Sequence, residues 1–316
     1  MGKIAFVFPG QGAQYVGMGK DIVENYDAAS KIFDLASKAV GYDMKKLCFE
    51  GPEEELKKTE NTQPAILTTC IAMAKLLEER GLRAEVTAGL SLGEYASLVI
   101  AGVLGFEDAV ALVKKRGRYM QEAVPIGKGT MAAILGMERD ALENALEKAK
   151  SYGIVEAANF NSPGQIVISG EVEAVEKACE YAKELGALKA VILPVSAPFH
   201  CSMLVPAGEK LAKELDQIKI GEFQVPVIAN ANAAYYNGPL AVKDLLVEQV
   251  SKSVLWEDTV EQMLADGVDT FVEIGPGKSL SQFIKKITKK SKNAIKIFNI
   301  EDKESLENAI ESLLTK

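Results

Sequence analysis

Short apolar runs alternate with amphipathic stretches along the first part of the chain. The runs at 4–8 and 85–89 have the length and apolar content of buried strands. Between them, apolar positions recur with helical spacing at 18–39 and 64–79. Strands that alternate with helices are typical of a parallel sheet covered by helices, so we predict an α/β fold.

The middle of the chain follows a different order of elements. After a glycine-rich turn we predict a strand, a helix, two strands, a helix and a strand, at 131–135, 139–149, 154–158, 166–169, 172–185 and 189–193. This β-α-β-β-α-β order is the ferredoxin-like split βαβ unit. We therefore predict a ferredoxin-like subdomain at 127–195, inserted into a larger domain made of 1–126 and 196–316.

The α/β pattern of the larger domain resumes after the predicted insertion. The next predicted elements are strands at 225–229 and 270–274, and helices at 204–215, 240–250, 256–265 and from Ser279 onward. Residues 196–203, with the sequence SAPFHCSM, lie at the seam between the two predicted domains. Ligand clefts form preferentially at domain interfaces, so this segment is a candidate wall of a binding site.

Composition and charge narrow the classes of function. Of the 316 residues, 48% are apolar and 25% are charged, as in an ordinary globular protein, and the longest apolar runs are too short to span a membrane. The net charge of −8 argues against nucleic acid as the main partner, because phosphate binding needs a basic surface. Two basic clusters, 114–118 and 285–292, are either sites for an anionic partner or solvated helix faces.

The cysteines and the first residues indicate a compartment. Cys48, Cys70, Cys179 and Cys201 have no CxxC spacing, so we expect neither a disulfide framework nor a zinc site. The apolar run at 4–8 is shorter than the core of a signal peptide. The sequence therefore predicts a reduced cytoplasmic protein without a bound metal.

A candidate nucleophile lies directly after the second predicted strand. Residues 89–93 read GLSLG, a G-x-S-x-G pattern between a strand and an apolar helix. In a nucleophile elbow this sharp turn projects the serine hydroxyl, and small flanking residues prevent backbone collisions. Ser91 is therefore a candidate nucleophile, and the alternative is a serine that only caps the following helix.

An elbow serine needs a base within hydrogen-bonding reach, because its hydroxyl is a weak nucleophile at its free pKa. His200 is the only histidine of the chain, so a histidine base must be this residue. Histidine titrates near neutral pH and is the usual proton shuttle of nucleophilic enzymes. A lone histidine is more often structural, and the elbow is what favours catalysis here.

Two further segments are candidates for substrate binding. The loop FPGQGAQ at 8–14 follows the first strand, and its glycines let backbone N–H groups approach a ligand oxygen closely. Such a loop suits an oxyanion hole completed by the N–H of Leu92. A phosphate cradle is the alternative, although the glycine spacings of dinucleotide sites and P-loops are absent. Arg116, on the helix predicted at 108–121, either binds a carboxylate with its guanidinium fork or lies on the surface.

Seven segments, in order along the chain, carry a family resemblance. They are FVFPGQGAQ, TQPA, AGLSLGEYASL, KRGRYMQEAV, NFNSPGQIVISG, PVSAPFHCSM and EIGPGKSL. Together they resemble the malonyl-CoA:acyl carrier protein transacylases of fatty-acid synthesis, over residues from about 4 to 290. The resemblance implies an α/β-hydrolase-like large domain with a mainly parallel sheet and an inserted ferredoxin-like small subdomain, in agreement with the predicted order of elements.

The resemblance also implies a catalytic role for particular residues. Ser91 would be the nucleophile and His200 its base. The N–H groups of Gln11 and Leu92 would form the oxyanion hole. The backbone carbonyl of Gln249 would orient the histidine in place of the usual carboxylate, which makes a Ser-His dyad rather than a triad.

A second group of residues would bind the substrate. Arg116 would hold the malonyl carboxylate, and Gln63 and Met120, from two of the matching segments, would lie at the substrate. Phe199 resembles the malonyl-selecting residue of related polyketide acyltransferases, where a bulky ring crowds a 2-methyl branch. The chain departs from many family members at Leu90, where they have a histidine, and this leaves His200 without a rival.

The activity implied by the resemblance is a ping-pong transfer. Malonyl-CoA would acylate Ser91, and the phosphopantetheine thiol of an acyl carrier protein would then accept the malonyl group, with no cofactor or metal. Acyl carrier proteins are typically acidic, so the basic clusters gain interest as docking sites. The family is often monomeric. The alternatives are a serine thioesterase or hydrolase with the same dyad, a stand-alone polyketide-pathway acyltransferase, and a non-catalytic carrier-binding module.

Overall fold

Two separate β-sheets form the framework of the protein. A computed structural model describes residues 2–195, 197–291 and 294–314. The strands are, in chain order, β1 (Lys3–Phe8), β2 (Val86–Gly89), β3 (Gly129–Leu135), β4 (Val155–Ser162), β5 (Gln165–Glu171), β6 (Lys189–Ile192), β7 (Val268–Ile274) and β8 (Lys296–Ile300). Some predicted positions lie outside the described residues. They are the domain ends at 1, 196 and 316, and Lys292 of the second basic cluster.

Helices connect most of the strands. They are α1 (Lys20–Asn25), α2 (Asp27–Val40), α3 (Met44–Glu50), α4 (Glu53–Leu56), α5 (Thr59–Glu79), α6 (Gly93–Ile100), α7 (Phe106–Glu122), α8 (Arg139–Ala149), α9 (Val172–Glu184), α10 (Val205–Leu215), α11 (Ala241–Ser251), α12 (Trp256–Ala265), α13 (Ser279–Ile287) and α14 (Lys303–Leu314). The single helix predicted at 18–39 is two helices, because Tyr26 is extended, with φ −136° and ψ 113°. No helix within the described ranges has both the length and the apolar content needed to cross a membrane.

The first sheet is parallel and carries the elbow. Its strand order is β2-β1-β7-β8. The side chains of β1 are buried from Ile4 to Phe8, as expected for a central strand covered on both faces. β8 and the following α14 were not predicted, because the alternating KIFNI of β8 is only half-buried at the sheet edge and gives a weak apolar signal.

The second sheet is antiparallel and has the strand order β4-β5-β3-β6. With α8 and α9 it forms the β-α-β-β-α-β unit, and both helices contribute buried apolar residues to a hydrophobic core of its own. Its strands and helices begin at Gly129 and end at Ile192, within the range predicted for the subdomain. A parallel sheet with helices and a separate antiparallel sheet confirm the predicted fold class.

The prediction of a strand at 225–229 is wrong. Only Val227 and Ile228 form bridges, the first to Thr87 of β2 and the second to Tyr235. Pro226 has no N–H to donate, which limits a ladder on that side. The segment is therefore an irregular edge beside β2, and it leads directly to Asn230.

Candidate active site

The turn between β2 and α6 has the backbone geometry of a nucleophile elbow. Ser91 has φ 53°, a left-handed conformation that is rare for residues other than glycine. A Cβ on Gly89 would lie 2.0 Å from the carbonyl carbon of Gly93, and a Cβ on Gly93 would lie 2.1 Å from the oxygen of Phe8. The G-x-S-x-G pattern is therefore required by close backbone contacts on both sides of the serine.

Asn230 stabilises this strained turn. The backbone N–H of Ser91 donates to Asn230 Oδ1 at 2.6 Å, and Asn230 Nδ2 donates to the carbonyl of Gly89 at 2.7 Å. The sequence did not identify Asn230, because it lies 139 residues from Ser91 in a segment interpreted as the end of a strand. Its two hydrogen bonds hold the nucleophile in the left-handed conformation.

His200 lies between the nucleophile and a backbone carbonyl. Its Nε2 is 2.8 Å from Ser91 Oγ, and its Nδ1 is 2.7 Å from the carbonyl oxygen of Gln249. Because the carbonyl can only accept, Nδ1 carries the proton, and Nε2 is free to accept from the serine hydroxyl. Ser91, His200 and Gln249 thus have the arrangement expected for a Ser-His dyad with a carbonyl in the third position.

The protonation state of His200 suits a base. The residue is only 4% exposed. Burial, and then the positive charge of Arg116, lower the pKa of His200 to about 3, while the hydrogen bond to Gln249 opposes this shift. The imidazole is therefore neutral at neutral pH and ready to accept a proton.

Arg116 is buried beside the nucleophile. Its Nη2 donates to Ser91 Oγ at 3.1 Å and to Gln249 Oε1 at 2.9 Å, and its Nη1 donates to Gln63 Oε1 at 2.8 Å. The residue is 1% exposed, and within the described part of the chain its Nε has no hydrogen-bond partner. Burial lowers the pKa of the guanidinium, but arginine remains charged at neutral pH. No carboxylate contacts Arg116 directly among the described residues, so an anionic substrate group can complete its pairing.

The other residues predicted at the substrate are also buried. Gln63, on α5, donates from Nε2 to Met120 Sδ at 3.8 Å, and Met120 lies one turn beyond Arg116 on α7. Phe199 is 9% exposed and belongs to the main hydrophobic core, directly before His200. Gln63 therefore contacts Arg116, and Met120 contacts Gln63, whereas the contact of Phe199 with an acyl group stays a prediction.

The two amides predicted for the oxyanion hole lie on adjoining turns. Leu92 follows the nucleophile, and Gln11 lies in the loop after β1. That loop packs tightly on the elbow, since a Cβ on Gly10 would lie 2.6 Å from the oxygen of Leu90. In the described residues, no hydrogen bond uses the backbone N–H of Gln11 or Leu92. Both donors are thus available to a substrate oxygen, and their role stays a prediction.

A buried carboxylate, Glu94, completes the polar cluster beneath the elbow. It is fully buried and accepts hydrogen bonds from Tyr236 Oη, from Gln249 Nε2 at 2.6 Å and from the backbone N–H of Asn230 at 3.1 Å. Burial raises the pKa of Glu94 to about 7, against these hydrogen bonds and the charge of Arg116. Glu94 was not identified from the sequence, although a charged residue within the apolar helix GEYASLVI was a visible signal.

Taken as chemistry, the site combines a nucleophile, a neutral base, two free amide donors and a buried cation. These groups suit acyl transfer through a covalent serine ester, with an acyl group that ends in a carboxylate. Across the described ranges, no three His, Cys, Asp or Glu side chains group together as metal ligands.

Comparison with known proteins agrees with this chemistry. The family model of the acyl transferase domain matches residues 5–305. A malonyl CoA-acyl carrier protein transacylase of Bacillus subtilis (strain 168) is 48% identical over 314 residues, which cover 99% of this chain and 98% of the relative.

Solved structures extend the comparison. A malonyl CoA-acyl carrier protein transacylase from Clostridium perfringens superposes with a TM-score of 0.94 at 50% identity, over 99% of this chain and 97% of the other. A malonyl-transacylase in complex with its type II PKS acyl-carrier protein superposes with a TM-score of 0.94 at 41% identity, over 98% of this chain and 99% of the other.

Proposed function

Because this chain belongs to the acyl transferase domain family, we propose that it transfers the malonyl group from malonyl-CoA to the phosphopantetheine thiol of an acyl carrier protein, in fatty-acid synthesis. Relatives named malonyl CoA-acyl carrier protein transacylase match this chain over nearly their whole length. The observation that carries the proposal is the burial of Arg116 with Nη2 3.1 Å from Ser91 Oγ, because this cation can pair with the free carboxylate of a malonyl group.

The first half-reaction acylates the enzyme. His200 accepts the hydroxyl proton as Ser91 Oγ attacks the thioester carbon, and the oxyanion is stabilised by the amides of Gln11 and Leu92. Collapse of the intermediate breaks the carbon–sulfur bond, and His200 donates the proton to the sulfur of CoA. The products are malonyl-Ser91 and free CoA.

The second half-reaction uses the same groups in reverse. The phosphopantetheine thiol of the carrier protein gives its proton to His200, and its sulfur attacks the ester carbon of malonyl-Ser91. Ser91 then leaves with the proton from His200 and is regenerated. All the groups in both steps belong to the chain or its two substrates, so the proposed reaction needs no cofactor or metal. We propose that it takes place in the cytoplasm, by a monomeric enzyme.

Two alternative functions would use the same Ser-His dyad. A serine thioesterase or hydrolase would pass the malonyl group to water. An acyltransferase of a polyketide pathway would pass it to a different carrier, and the solved complex with a type II PKS acyl-carrier protein is a specific reason to test this carrier. A non-catalytic carrier-binding module does not account for a base 2.8 Å from a strained serine.

A labelling experiment separates these functions. The enzyme is incubated with malonyl-CoA labelled in the malonyl group and with holo-carrier proteins of the fatty-acid and polyketide types. We expect the label on the fatty-acid carrier, faster than on the polyketide carrier, and none with Ser91→Ala. Label that is released as free malonate would contradict the proposal in favour of a hydrolase.

A further inference from the structure

The proposed reaction leaves Glu94 without a role, although it is a fully buried carboxylate under the nucleophile. Charged carboxylates are almost never fully buried unless they are paired. The three groups that donate to it, from Tyr236, Gln249 and Asn230, are all uncharged. A positive charge that stabilises the Glu94 carboxylate must therefore act through one of these uncharged groups.

Gln249 connects Glu94 with Arg116. The Nε2 of Gln249 donates to Glu94 Oε2 at 2.6 Å and to the carbonyl of Ser91 at 2.9 Å. Because the Ser91 carbonyl only accepts and the guanidinium of Arg116 only donates, the amide has one allowed orientation, and its Oε1 accepts from Arg116 Nη2 at 2.9 Å. The backbone carbonyl of the same glutamine accepts from His200 Nδ1. One side chain, fixed by Glu94, thus contacts both the guanidinium and the nucleophile's backbone.

The charges of the site explain why such a residue matters. Above about pH 7, where Glu94 is ionised, Arg116 and Glu94 of the free enzyme form a positive and a negative charge separated by one amide, and His200 is neutral. A malonyl group on Ser91 adds a second carboxylate next to Arg116. The cation is then shared between two anions, which limits the stability of the malonyl-enzyme.

We propose, on the basis of the function proposed above, that Glu94 is a positioning residue of malonyl transfer, which holds Arg116 through Gln249 and prevents the malonyl-enzyme from becoming too stable to react onward. An acyl-enzyme that must give its acyl group to a thiol has to be close in free energy to a thioester. A lone Arg116 would bind the malonyl carboxylate without competition. The negative charge of Glu94 offsets that attraction.

The variant Glu94→Gln keeps the shape of the side chain and removes its charge. The measured reaction is that of enzyme with malonyl-CoA, which gives malonyl-enzyme and CoA. We expect its equilibrium constant to increase about tenfold at pH 8, which corresponds to about 1.4 kcal/mol. Two buried charges separated by one amide interact by at least about this much. The kcat for transfer and the KM for malonyl-CoA should both fall. The equilibrium with acetyl-CoA should not change, because the acetyl group has no carboxylate.

The equilibrium is measured by intact-mass analysis after acid quenching, at fixed ratios of acyl-CoA to CoA. The quantity of interest is the malonyl constant divided by the acetyl constant, because a general loss of active-site geometry changes both. Glu273→Gln is the matched control: this carboxylate is also fully buried, but it accepts from the backbone N–H groups of Leu280 and Ser281 at the start of α13. The malonyl-to-acetyl ratio of Glu273→Gln should equal that of the wild type.

A second measurement follows the malonyl-to-acetyl ratio as a function of pH. The titratable and charged groups that act on Glu94 are Tyr236, Tyr95 on its own helix, and Arg116 on α7. Burial raises the pKa of Tyr95 to about 12 and that of Tyr236 well above its usual value, and Arg116 stays charged, so only Glu94 titrates near pH 7. Protonation removes its negative charge. The malonyl-to-acetyl ratio of the wild type should therefore rise as the pH falls from 8 to 6, and that of Glu94→Gln should stay constant.

The outcomes separate this inference from the proposed function. If the wild type forms no malonyl-enzyme, the function itself is wrong. If the wild type forms it and Glu94→Gln has an unchanged or lower malonyl-to-acetyl ratio, the function stands and the role of Glu94 is wrong. Should Glu94→Gln fail to fold, a wild-type ratio that does not vary between pH 8 and pH 6 overturns the inference.

Discussion

At the scale of single residues, the site depends on what burial does to charge. His200 is kept neutral because burial and Arg116 both disfavour its protonated form. Arg116 itself is a buried cation whose hydrogen-bond partners among the described residues, Gln63, Gln249 and Ser91, are all uncharged. The same low-polarity surroundings therefore prepare the base and leave a cation that can select an anionic substrate group.

The state of His200 can be observed directly, because the chain contains no other histidine. We predict that the imidazole stays neutral from pH 8 down to about 5, since its pKa in the folded protein is about 3. The NMR signals of the ring nitrogens should show the Nδ1–H tautomer over this range, as required by the bond to Gln249. A titration of the folded protein with a midpoint near 6.5 would rule out this environment.

The shift of His200 also has a consequence for folding. Its pKa is lower in the folded than in the unfolded chain, so below about pH 6.5 the unfolded chain binds the extra proton. His200 therefore contributes to a loss of stability as the pH falls from about 6.5 towards 3. The free energy of unfolding of His200→Gln, measured by urea titration at pH 7 and pH 5, should fall less between these two pH values than that of the wild type.

Arg116→Ala tests the selectivity for malonyl groups. Removal of the guanidinium should lower kcat/KM for malonyl-CoA by about a hundredfold, because a charge-assisted hydrogen bond to a buried carboxylate contributes about 3 kcal/mol. The rate with acetyl-CoA should not decrease. Arg118→Ala is the control, since Arg118 is an exposed arginine on the same helix, 3.9 Å from Glu122. Equal losses with malonyl-CoA and acetyl-CoA would show that Arg116 does not recognise the carboxylate.

At the scale of elements, three segments of the chain are packed at van der Waals contact around Ser91. The loop after β1, the end of β2 and the start of α6 meet where Gly10, Gly89 and Gly93 leave no space for a Cβ. The close approach projects the serine and brings the Gln11 and Leu92 amides onto adjoining turns. The elbow is thus a property of the packing of all three elements.

Gly93→Ala should disrupt this packing. Its Cβ would lie 2.1 Å from the oxygen of Phe8, a backbone atom that cannot move independently of β1. We expect a loss of about 1–3 kcal/mol in the free energy of unfolding, measured by urea titration, and a larger loss of acylation rate. Gly105→Ala is the matched control, because its Cβ would meet only the side chain of Asp108, at 3.3 Å. An acylation rate of Gly93→Ala equal to that of Gly105→Ala would disprove the requirement for this contact.

The sequence predicted those elements whose signal is local. Residues close together in the sequence determine the buried runs of β1 and β2, the order of elements in the antiparallel subdomain and the G-x-S-x-G turn. The half-buried β8 and the irregular segment at 225–229 were missed or misread because tertiary contacts decide them. Asn230 was missed for the same reason, since its partner Ser91 lies far away in the chain, whereas Glu94 was missed although a charged residue within an apolar helix is a local signal.

At the scale of the whole molecule, the basic clusters differ in how far their charges are already paired. In the cluster at 114–118, Lys115 pairs with Glu214, Arg118 lies near Glu122 and Arg116 is buried in the active site. In the cluster at 285–292, Lys285 and Lys289 are exposed and, within the described ranges, have no ion pair. With a net charge of −8, the protein needs such unpaired cations to attract an acidic carrier.

The double variant Lys285→Glu/Lys289→Glu should therefore weaken carrier binding. We expect the KM for holo-acyl carrier protein to rise about tenfold, and the effect to diminish in high salt, because exposed charges are screened. Acylation by malonyl-CoA, measured in the absence of carrier, provides the reference rate. Lys115→Glu is the control in the other cluster. A larger effect of Lys115→Glu would place the docking site on α7 instead.

The central claim is that Ser91 carries a malonyl group between the two substrates. The protein is mixed with malonyl-CoA, quenched in acid and analysed by intact mass and by peptide mapping, in parallel with acetyl-CoA and with Ser91→Ala. The structure predicts one malonyl group on the peptide that contains Ser91, less acetylation under the same conditions, and no adduct on Ser91→Ala. A malonyl adduct that persists in Ser91→Ala, or unmodified wild-type protein during turnover, would contradict it.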